Sequence, residues 1–297
     1  MRSFPKLLIV VGVAMAALPV TAQPPAQPEI VIRAETLAPG VAVLFGQGGN
    51  MGVSWGEDGT VLIDDQFAPL TPKIEAAIAA LGAAPVKYLI NTHWHGDHSG
   101  GNENLGKKGA LILAHDNVRV RLAAGDPSGS RPIAPAPKVA LPVVTYDQGL
   151  KLHLNGDTVQ TVYLGVGHTD GDSIVIWKKA NVVHMGDLFF NKVTLPYIDL
   201  KSGGSAVGLL ADIEKVLAMT EANTKYIPGH GPVATRSDLI AYRDMLTSVI
   251  NSVRDGIKAR KTLAQIQATK PAAKWEQPGG FINGDSFVET IFKSLAR

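Results

Sequence analysis

The sequence predicts a single α/β domain in which helices lie outside paired β-sheets. Short apolar runs separated by glycine-containing turns indicate strands, and longer segments with apolar residues every three to four positions indicate helices. Strands and helices come in two similar batches, and no repeat, low-complexity tract or linker divides them. We therefore expect one domain over residues 23–297.

The first batch begins as a strand meander and continues into a helix. Between residues 30 and 67, the runs VAVLF, MGVSW and TVLIDD are separated by the turn sequences GQGGN and GEDG. Thr71 and Pro72 then open a helix, which Gly82 ends. One face of this helix carries Ile74, Ala77, Ile78 and Leu81. The next predicted strand is Val86–Ile90.

The second batch combines strands with longer helices. A strand is predicted over Ala110–Ala114, a short helix over Asn117–Ala124 and a mobile surface loop, rich in Pro, Gly and Ser, over Gly125–Pro142. Strands dominate from Val143 to Phe189. The remaining chain predicts a helix over Ala206–Met219, a strand ending at Ile227, a helix over Asp238–Ala259 and a C-terminal extension over Leu263–Arg297 with a final helix over Phe287–Leu295.

The first residues have the pattern of a secretory signal peptide. Arg2 and Lys6 accompany a run without polar residues from Leu7 to Leu18, and Val20–Ala22 resembles a cleavage site of small residues. The apolar run is too short for a stable membrane-spanning helix. We therefore expect residues 1–22 to be removed and the mature chain to be periplasmic or secreted, without a membrane anchor.

The charge balance indicates a small-molecule substrate. The 28 basic residues outnumber the 26 acidic residues by two, and Arg2 and Lys6 of the leader account for this excess. No run of Lys or Arg with interleaved aromatic residues is present, so nucleic acid and anionic membranes are not expected partners. The sequence does not predict the oligomeric state.

The absence of cysteine limits both the fold and any metal site. An exported chain without cysteine has no disulfides and depends on a buried core for its stability. Thiolate is also excluded as a ligand. Any metal would be bound by histidine and carboxylate, which suits zinc and, with more carboxylate, manganese or iron.

The segment NTHWHGDHSGGN, Asn91–Asn102, concentrates metal-binding side chains directly after a predicted strand. His93 and His95 are two positions apart, and in an extended segment such side chains point the same way and can reach one ion. Asp97 and His98 follow a glycine, at which the chain can turn. The turn directs this second pair to an adjacent position.

Three later positions offer further ligands, each beside glycine at the end of an apolar run. They are His168 in GVGHTDGD, Asp187 in HMGDLFF and His230 in IPGHGP. Loops that follow strands of a rigid scaffold commonly carry functional side chains. Together with the first segment they supply seven candidate ligands, which exceeds what one structural zinc ion uses.

This order, HxHxDH followed by single His, Asp and His residues, resembles the metallo-β-lactamase fold superfamily from about Val41 to Pro232. The resemblance implies a four-layer αββα sandwich that binds two zinc ions. It implies one zinc site formed by His93, His95 and His168, a second formed by Asp97, His98 and His230, and Asp187 at the position of a bridging carboxylate or a cysteine ligand.

The resemblance also implies the chemistry. Two adjacent cations lower the pKa of a shared water to about 7, so that a hydroxide attacks a substrate carbonyl that one cation polarises. Asp97 is the implied catalytic residue that orients this hydroxide. Asp64, which ends VLID, matches a buried aspartate that supports the histidine segment. No serine occurs in a GxSxG context, so an activated serine is not expected.

Other residues near these motifs are interpreted as structural. Asp170 and Asp172 are expected to fix the turn after His168, and Trp94 to pack against its own loop. The apolar stretch Phe189–Tyr197 is expected to form core or a wall of the substrate pocket. His184 is expected to support the site or the core. His115 and His153 are expected to be structural or exposed.

The substrate is less well defined, because proteins of this fold hydrolyse several classes of compound. We expect β-lactam hydrolysis first, given the predicted export and the complete histidine set. Asp187 departs from the best-known β-lactamase subclass, which has cysteine there and a substrate-binding lysine three positions later, where this chain has Phe190. Lys192 or Lys201 could supply the missing positive charge.

Two alternatives remain open. An aspartate at position 187 resembles the hydroxyacylglutathione hydrolase pattern, which favours a lactonase or thioesterase. The other alternative is a non-catalytic periplasmic metal-binding accessory protein that keeps the fold. Loss of a ligand would favour this last class, and the sequence shows no such loss.

Overall fold

The computed structural model describes Met1, residues 29–128 and residues 132–296. The chain forms two compact units, residues 1–30 and residues 31–297. The predicted signal peptide, residues 1–22, lies outside the described residues apart from Met1, so the leader and its cleavage site stay predictions. All elements below belong to the larger unit.

The larger unit contains a seven-stranded sheet and a five-stranded sheet. The first sheet follows chain order from edge to edge, with β1 (Arg33–Ala38), β2 (Val41–Phe45), β3 (Met51–Ser54), β4 (Thr60–Ile63), β5 (Val86–Ile90), β6 (Leu111–His115) and β7 (Val144–Tyr146). The second has the order β12-β11-β10-β9-β8, with β8 (Lys151–Leu154), β9 (Asp157–Tyr163), β10 (Ser173–Trp177), β11 (Val182–His184) and β12 (Lys225–Ile227).

Helices lie between and after these strands. The α-helices of the described residues are α1 (Thr71–Ala80), α2 (Gly96–Ser99), α3 (Asn102–Lys107), α4 (Asp116–Ala124), α5 (Ala206–Met219), α6 (Arg236–Lys258), α7 (Leu263–Gln267) and α8 (Gly284–Leu295). The helices predicted at α1, α4, α5, α6 and α8 are therefore present, with bounds shifted by a few residues at most. α2, α3 and α7 are short and carry too few apolar positions for a periodic signal.

A hydrophobic core lies between the two sheets. It takes Val41 and Val43 from β2, and Val175, Trp177 and Val182 from the second sheet. Successive side chains of a strand point to opposite faces, yet the intervening residues of β2 are also fully buried. The first sheet is therefore covered on both faces.

Helices cover the outer face of the second sheet. Its residues Ile174, Ile176 and Val183 pack in one cluster with α5, α6 and α8. α6 begins with a capping box between Thr235 and Asp238 and turns an apolar stripe toward the sheet. This stripe consists of Leu239, Tyr242, Leu246, Val249, Ile250 and Val253. The layers are helix, sheet, sheet and helix, which confirms the four-layer αββα sandwich.

The strand directions bring separate loops to one edge of the sandwich. β4 and β5 are parallel, so their carboxyl ends lead to Asp64 and to the histidine segment at the same edge. β11 and β12 are also parallel and lead to Asp187 and His230. β9 and β11 both pair antiparallel with β10, so β9 leads to His168 at that edge too. The topology thus assembles motifs that are far apart in sequence.

The structure adds detail to two predicted regions. The C-terminal extension packs against the domain, because Phe287, Val288 and Ile291 of α8 are buried in the cluster that holds α5 and α6. The Gly125–Pro142 loop contains a bridge between Asp126 and Ile133 and a 3-10 turn at Lys138–Ala140. Residues 129–131 lie outside the described part, and the mobility of the loop stays a prediction.

Within the part of the chain that the structure describes, no helix combines the length and apolar character needed to cross a membrane.

Removing the Phe287 side chain is expected to destabilise the whole larger unit. Phe287 is fully buried, and its loss leaves a cavity beside α5 and α6. Phe287→Ala should lower the free energy of unfolding by about 3–5 kcal/mol in urea denaturation. Val207→Ala, at an exposed position of α5, should change it by less than about 0.5 kcal/mol. Equal effects of the two variants would contradict the integration of α8 into the core.

Candidate metal centre

The histidine segment leaves β5 in an extended conformation and then turns. His95 is extended, with φ −63° and ψ 148°, and forms the N-cap of the short helix α2. Asp97 and His98 lie within this helix, and the His98 amide donates to the His95 carbonyl at 3.0 Å. The helical turn places Asp97 and His98 at a second position adjacent to that of His93 and His95.

The seven candidate ligands form two adjacent groups. In each group, one ligand atom of every residue lies within 4.8 Å of the others. The first group is His93, His95, His168 and Asp187, and the second is Asp97, His98 and His230. The structure thus brings together all seven residues that the sequence singles out, in the predicted division. Their role as metal ligands stays a prediction.

Asp187 lies between the two groups. Its Oδ2 faces the first group, 3.6 Å from His168 Nε2 and 3.9 Å from His93 Nε2. Its Oδ1 faces the second, 3.1 Å from His98 Nε2 and 3.4 Å from His230 Nε2. Of the two alternatives for this position, the geometry therefore supports the bridging carboxylate.

The buried carboxylate of Asp64 orients one histidine of each group. Asp64 Oδ2 lies 2.8 Å from His98 Nδ1 and accepts a hydrogen bond from the Thr92 hydroxyl. The Thr92 hydroxyl is also 3.0 Å from His93 Nδ1. The outer nitrogens of both rings are engaged, so their Nε2 atoms are free to face the centre. This arrangement agrees with the role suggested for Asp64, which is to hold the histidine segment in position.

His95 and His168 have their own outer partners. His168 Nδ1 lies 2.8 Å from the Tyr197 carbonyl, and His95 Nε2 lies 3.1 Å from Asp199 Oδ2. Ser202 donates its hydroxyl to the same Asp199 oxygen at 2.5 Å. The remaining ring nitrogens, His95 Nδ1 and His168 Nε2, are 2.9 Å apart. They therefore point to a common position.

The donor set fits bound cations. His93 Nε2 and Asp187 Oδ1 are buried, and neither has a hydrogen-bond partner among the described residues. Buried polar atoms without partners are costly, and a cation placed among them would satisfy both. Imidazole and carboxylate are the ligands that zinc accepts in the absence of thiolate.

The electrostatics favour the ligand forms of His93, His168, Asp97 and Asp187, whereas they favour the protonated forms of His98 and His230. Burial lowers the pKa of His93 well below its usual value and that of His168 to about 4, so both imidazoles are neutral. Burial alone would raise the pKa of Asp187, but His98 and His230 hold it well below its usual value. Asp97 has a lowered pKa for a similar reason, since His98 outweighs its burial. Neutral imidazoles and ionised carboxylates are the forms that bind divalent cations. Burial alone would lower the pKa of His98 and His230, but the neighbouring Asp187 raises it, to about 9 for His230, so these two imidazoles release a proton when they bind a cation.

Two glycines permit the close approach of these groups. A Cβ atom on Gly229 would lie 2.0 Å from Asp187 Oδ1, and one on Gly49 would lie 2.1 Å from His98 Cε1. Either side chain would push a candidate ligand out of position. Gly96, within the histidine segment itself, has nothing within 4 Å of such an atom.

Asp199 is the residue that sequence reasoning missed. It is not part of any ligand motif, and it lies in YIDLKSGG, twelve positions after Asp187. The available signal is an acidic residue between apolar residues and a glycine pair, which is too weak to select it. Only the structure shows that the chain returns to His95 at this point.

The structure also places the other residues considered from the sequence. Asp172 fixes the turn after His168 by accepting from the Thr169 amide and hydroxyl, whereas Asp170 forms an ion pair with Arg121. The contacts of the remaining residues are as follows: His184 is buried against the Asn50 carbonyl, His115 caps α4, Trp94 donates to Ser202, Phe190 stacks on His230, Tyr197 lies beside His168, and Lys192 pairs with Asp238.

Comparison with known proteins decides the family. Residues 44–236, more than half of the chain, match the family model of the metallo-beta-lactamase superfamily. The chain belongs to this superfamily. The matched region contains all seven candidate ligands, and the superfamily consists largely of metal-dependent hydrolases.

Within the superfamily, curated relatives of different activity are about equally similar. The chain is 28% identical over 150 residues to the metallo-beta-lactamase type 2 of Bacteroides fragilis, and the aligned region covers 50% of this chain and 54% of that protein. It is 29% identical over 171 residues to the hydroxyacylglutathione hydrolase of Nitrosococcus oceani, and the aligned region covers 54% of this chain and 55% of that protein. The chain thus spans about half the length of these relatives.

A solved structure shows the same fold. The metallo-beta-lactamase from Pontibacter korlensis superposes with a TM-score of 0.61 at 18% identity. The superposition covers 73% of this chain and 99% of that protein. At this identity the likeness concerns the superfamily fold.

Gly229→Ala is expected to reduce metal binding, because the new methyl group would overlap Asp187 Oδ1. Purified protein loaded with zinc should retain less than about half of the metal bound by the unsubstituted chain, measured by atomic emission after gel filtration. Gly96→Ala, the matched control in the histidine segment, should retain all of it. Full metal content in Gly229→Ala would show that Asp187 is not needed for binding.

Asp199→Ala is expected to weaken zinc binding by about 10–100-fold, because His95 loses the partner that fixes its orientation. Competition with a fluorescent chelator measures this affinity. Asp244→Ala removes an exposed carboxylate that pairs with Arg243 and should leave the affinity unchanged. An unchanged affinity in Asp199→Ala would rule out this role.

Proposed function

We propose that the protein is a zinc-dependent hydrolase of a cyclic amide or ester, with β-lactams as its first substrate class. The observation that carries this proposal is the position of Asp187, whose two oxygens face two separate groups of ligands. One structural zinc site would use four donors and close around the ion. Six further ligands around the shared carboxylate of Asp187 support two ions instead.

The partly exposed residues show where a substrate would reach the centre. His93, His98 and His168 are buried, whereas His95, Asp97 and His230 keep part of their side chains accessible. The open side of the centre is therefore lined by one carboxylate and two imidazole edges. A carbonyl group would approach from this side.

Asp97 is the proposed catalytic carboxylate. Its Oδ2 lies 3.3 Å from His230 Nε2 and 3.6 Å from His98 Nε2. Its lowered pKa keeps it ionised at neutral pH, so it can accept a hydrogen bond from an attacking water and orient it. Bound zinc ions would supply the Lewis acidity that activates this water and polarises the carbonyl. Asp64 and Asp199 hold the imidazoles in place during the reaction.

The substrate class is supported by several observations. The predicted export and the likeness to the Bacteroides fragilis protein support β-lactams. Lys192, one of the two lysines considered for the positive charge, forms a surface ion pair with Asp238 at 2.7 Å. The bridging position of Asp187 and the likeness to the Nitrosococcus oceani protein support a lactonase or thioesterase as the second candidate.

We further propose that the mature protein acts in the periplasm or outside the cell on a small molecule. Its composition contains no basic tract for nucleic acid or membrane lipids. A non-catalytic metal-binding role is less well supported, since all seven candidate ligands are present and together.

Parallel assays test this proposal. Zinc-loaded protein is expected to hydrolyse at least one of nitrocefin, an N-acyl homoserine lactone and a thioester, with the highest kcat/KM on nitrocefin. A chelator should abolish the activity, and added zinc should restore it. His230→Ala should lose both metal and activity, because it removes a ligand of the second group.

The outcomes separate the candidates. Turnover of the lactone or thioester alone would replace the β-lactam by the second candidate. No turnover of any substrate by protein that holds two zinc ions would reject the hydrolase and favour the accessory role.

A further inference from the structure

A groove of about 410 Å³ opens beside the exposed edge of His230. Its walls include Phe45 from the end of β2, Val193 from the loop after Asp187 and Phe281 from the turn before α8. The groove adjoins the candidate metal centre at His230, which belongs to both. A substrate whose carbonyl lies at the centre would extend along it.

Phe281 is unusually exposed for an aromatic residue. Its side chain is 62% accessible, although it lies in an aromatic cluster with Phe190 and His230. The rings of Phe190 and His230 stack at 5.4 Å with an interplanar angle of 3°, and the Phe281 ring lies 6.1 Å and 6.3 Å from them. One side of the Phe281 ring thus packs against the cluster, and its other side faces the groove. An apolar ligand laid on it would gain burial.

The turn that carries Phe281 is anchored. The Ile282 amide donates to the Thr194 hydroxyl at 3.0 Å, and Thr194 is buried. The Gly280 backbone approaches Thr194 so closely that an added Cβ atom would lie 3.1 Å from its Cα atom. Asn283 then caps α8 through the Ser286 amide. The wall therefore has a defined position next to the centre.

The charges of the groove favour a neutral ligand. Among the described residues that line it, Arg33 and His230 are the only basic residues, and no acidic residue is present. Arg33 lies 4.0 Å over the Phe45 ring and pairs with Glu35 at 3.3 Å, so a neighbouring carboxylate partly balances its charge. The walls offer apolar surface rather than an unpaired cation.

We propose that this groove binds an apolar acyl group next to the scissile carbonyl, and that Phe281 determines the preference for its length. The inference rests on the proposed function, because it names the substrate class of the same centre. The C-terminal segment, which contributes no candidate ligand, thereby contributes to specificity. The acyl side of the substrate is accordingly an uncharged alkyl or aryl group.

A series of p-nitrophenyl esters tests the proposal on the zinc-loaded full chain. From acetate to octanoate, kcat/KM should rise by about threefold per added methylene until the groove is filled. In Phe281→Ala the increase in kcat/KM per methylene should be less than half as large. The difference should lie in KM, with kcat unchanged. Zinc content and melting temperature of the variant should match those of the unsubstituted protein, because Phe281 is exposed and binds no metal.

Two controls accompany the series. Met219→Ala removes an exposed apolar side chain at the end of α5 and should leave the length dependence unchanged. A hemisuccinate ester places a carboxylate at the end of the acyl group and should react more slowly than the butanoate ester. A faster hemisuccinate would identify Arg33 as the determinant and overturn the proposal.

Calorimetry tests binding to the groove without requiring turnover, so it is independent of the proposed function. N-acylpyrrolidines of the same chain lengths are neutral amides that resist hydrolysis and can be titrated into zinc-loaded protein. Their Kd should fall by about threefold per methylene, and less steeply in Phe281→Ala. The same Kd for all lengths, or the same dependence in the variant, would overturn the proposal. The expected Kd series together with no turnover of nitrocefin, the lactone or the thioester would reject only the proposed function.

Discussion

The carboxylate of Asp64 is the interaction on which the candidate metal centre depends. It is fully buried and accepts the Thr92 amide at 2.7 Å and the Thr92 hydroxyl at 2.8 Å, while His98 Nδ1 lies 2.8 Å away. Through Thr92 it also positions His93, so one side chain organises both ligand groups. Asp64 has φ 60°, a left-handed conformation that is unfavourable for a residue with a Cβ atom. Its hydrogen bonds compensate for this local cost.

The sequence predicts this centre well because its ligands are encoded locally. His93, His95, Asp97 and His98 lie within six residues, and simple strand geometry already separates them into two pairs. The three single ligands were identified by glycine at the ends of apolar runs, and the topology places those ends at one edge. What the sequence leaves open at Asp187, a bridge or a single ligand, depends on distances between loops.

Residues that act through long-range contacts were less predictable. Asp199 contacts His95 across 104 positions of the chain, and Phe281 lies 51 residues beyond the last candidate ligand. Neither has a sequence pattern of its own, since an isolated aspartate or phenylalanine is common in any loop. The same holds for α8, whose apolar stripe predicts a helix but not the layer that it joins.

The origin of the ligands has a consequence for the stability of the sandwich. Each group combines side chains that follow strands of the first sheet with side chains that follow strands of the second. A bound ion would therefore tie the two sheets together, as a disulfide does in many exported proteins. This chain has no cysteine and therefore has no such covalent link. Metal loading would then protect the fold against proteolysis, and the zinc supply of the surroundings would influence how long the protein survives.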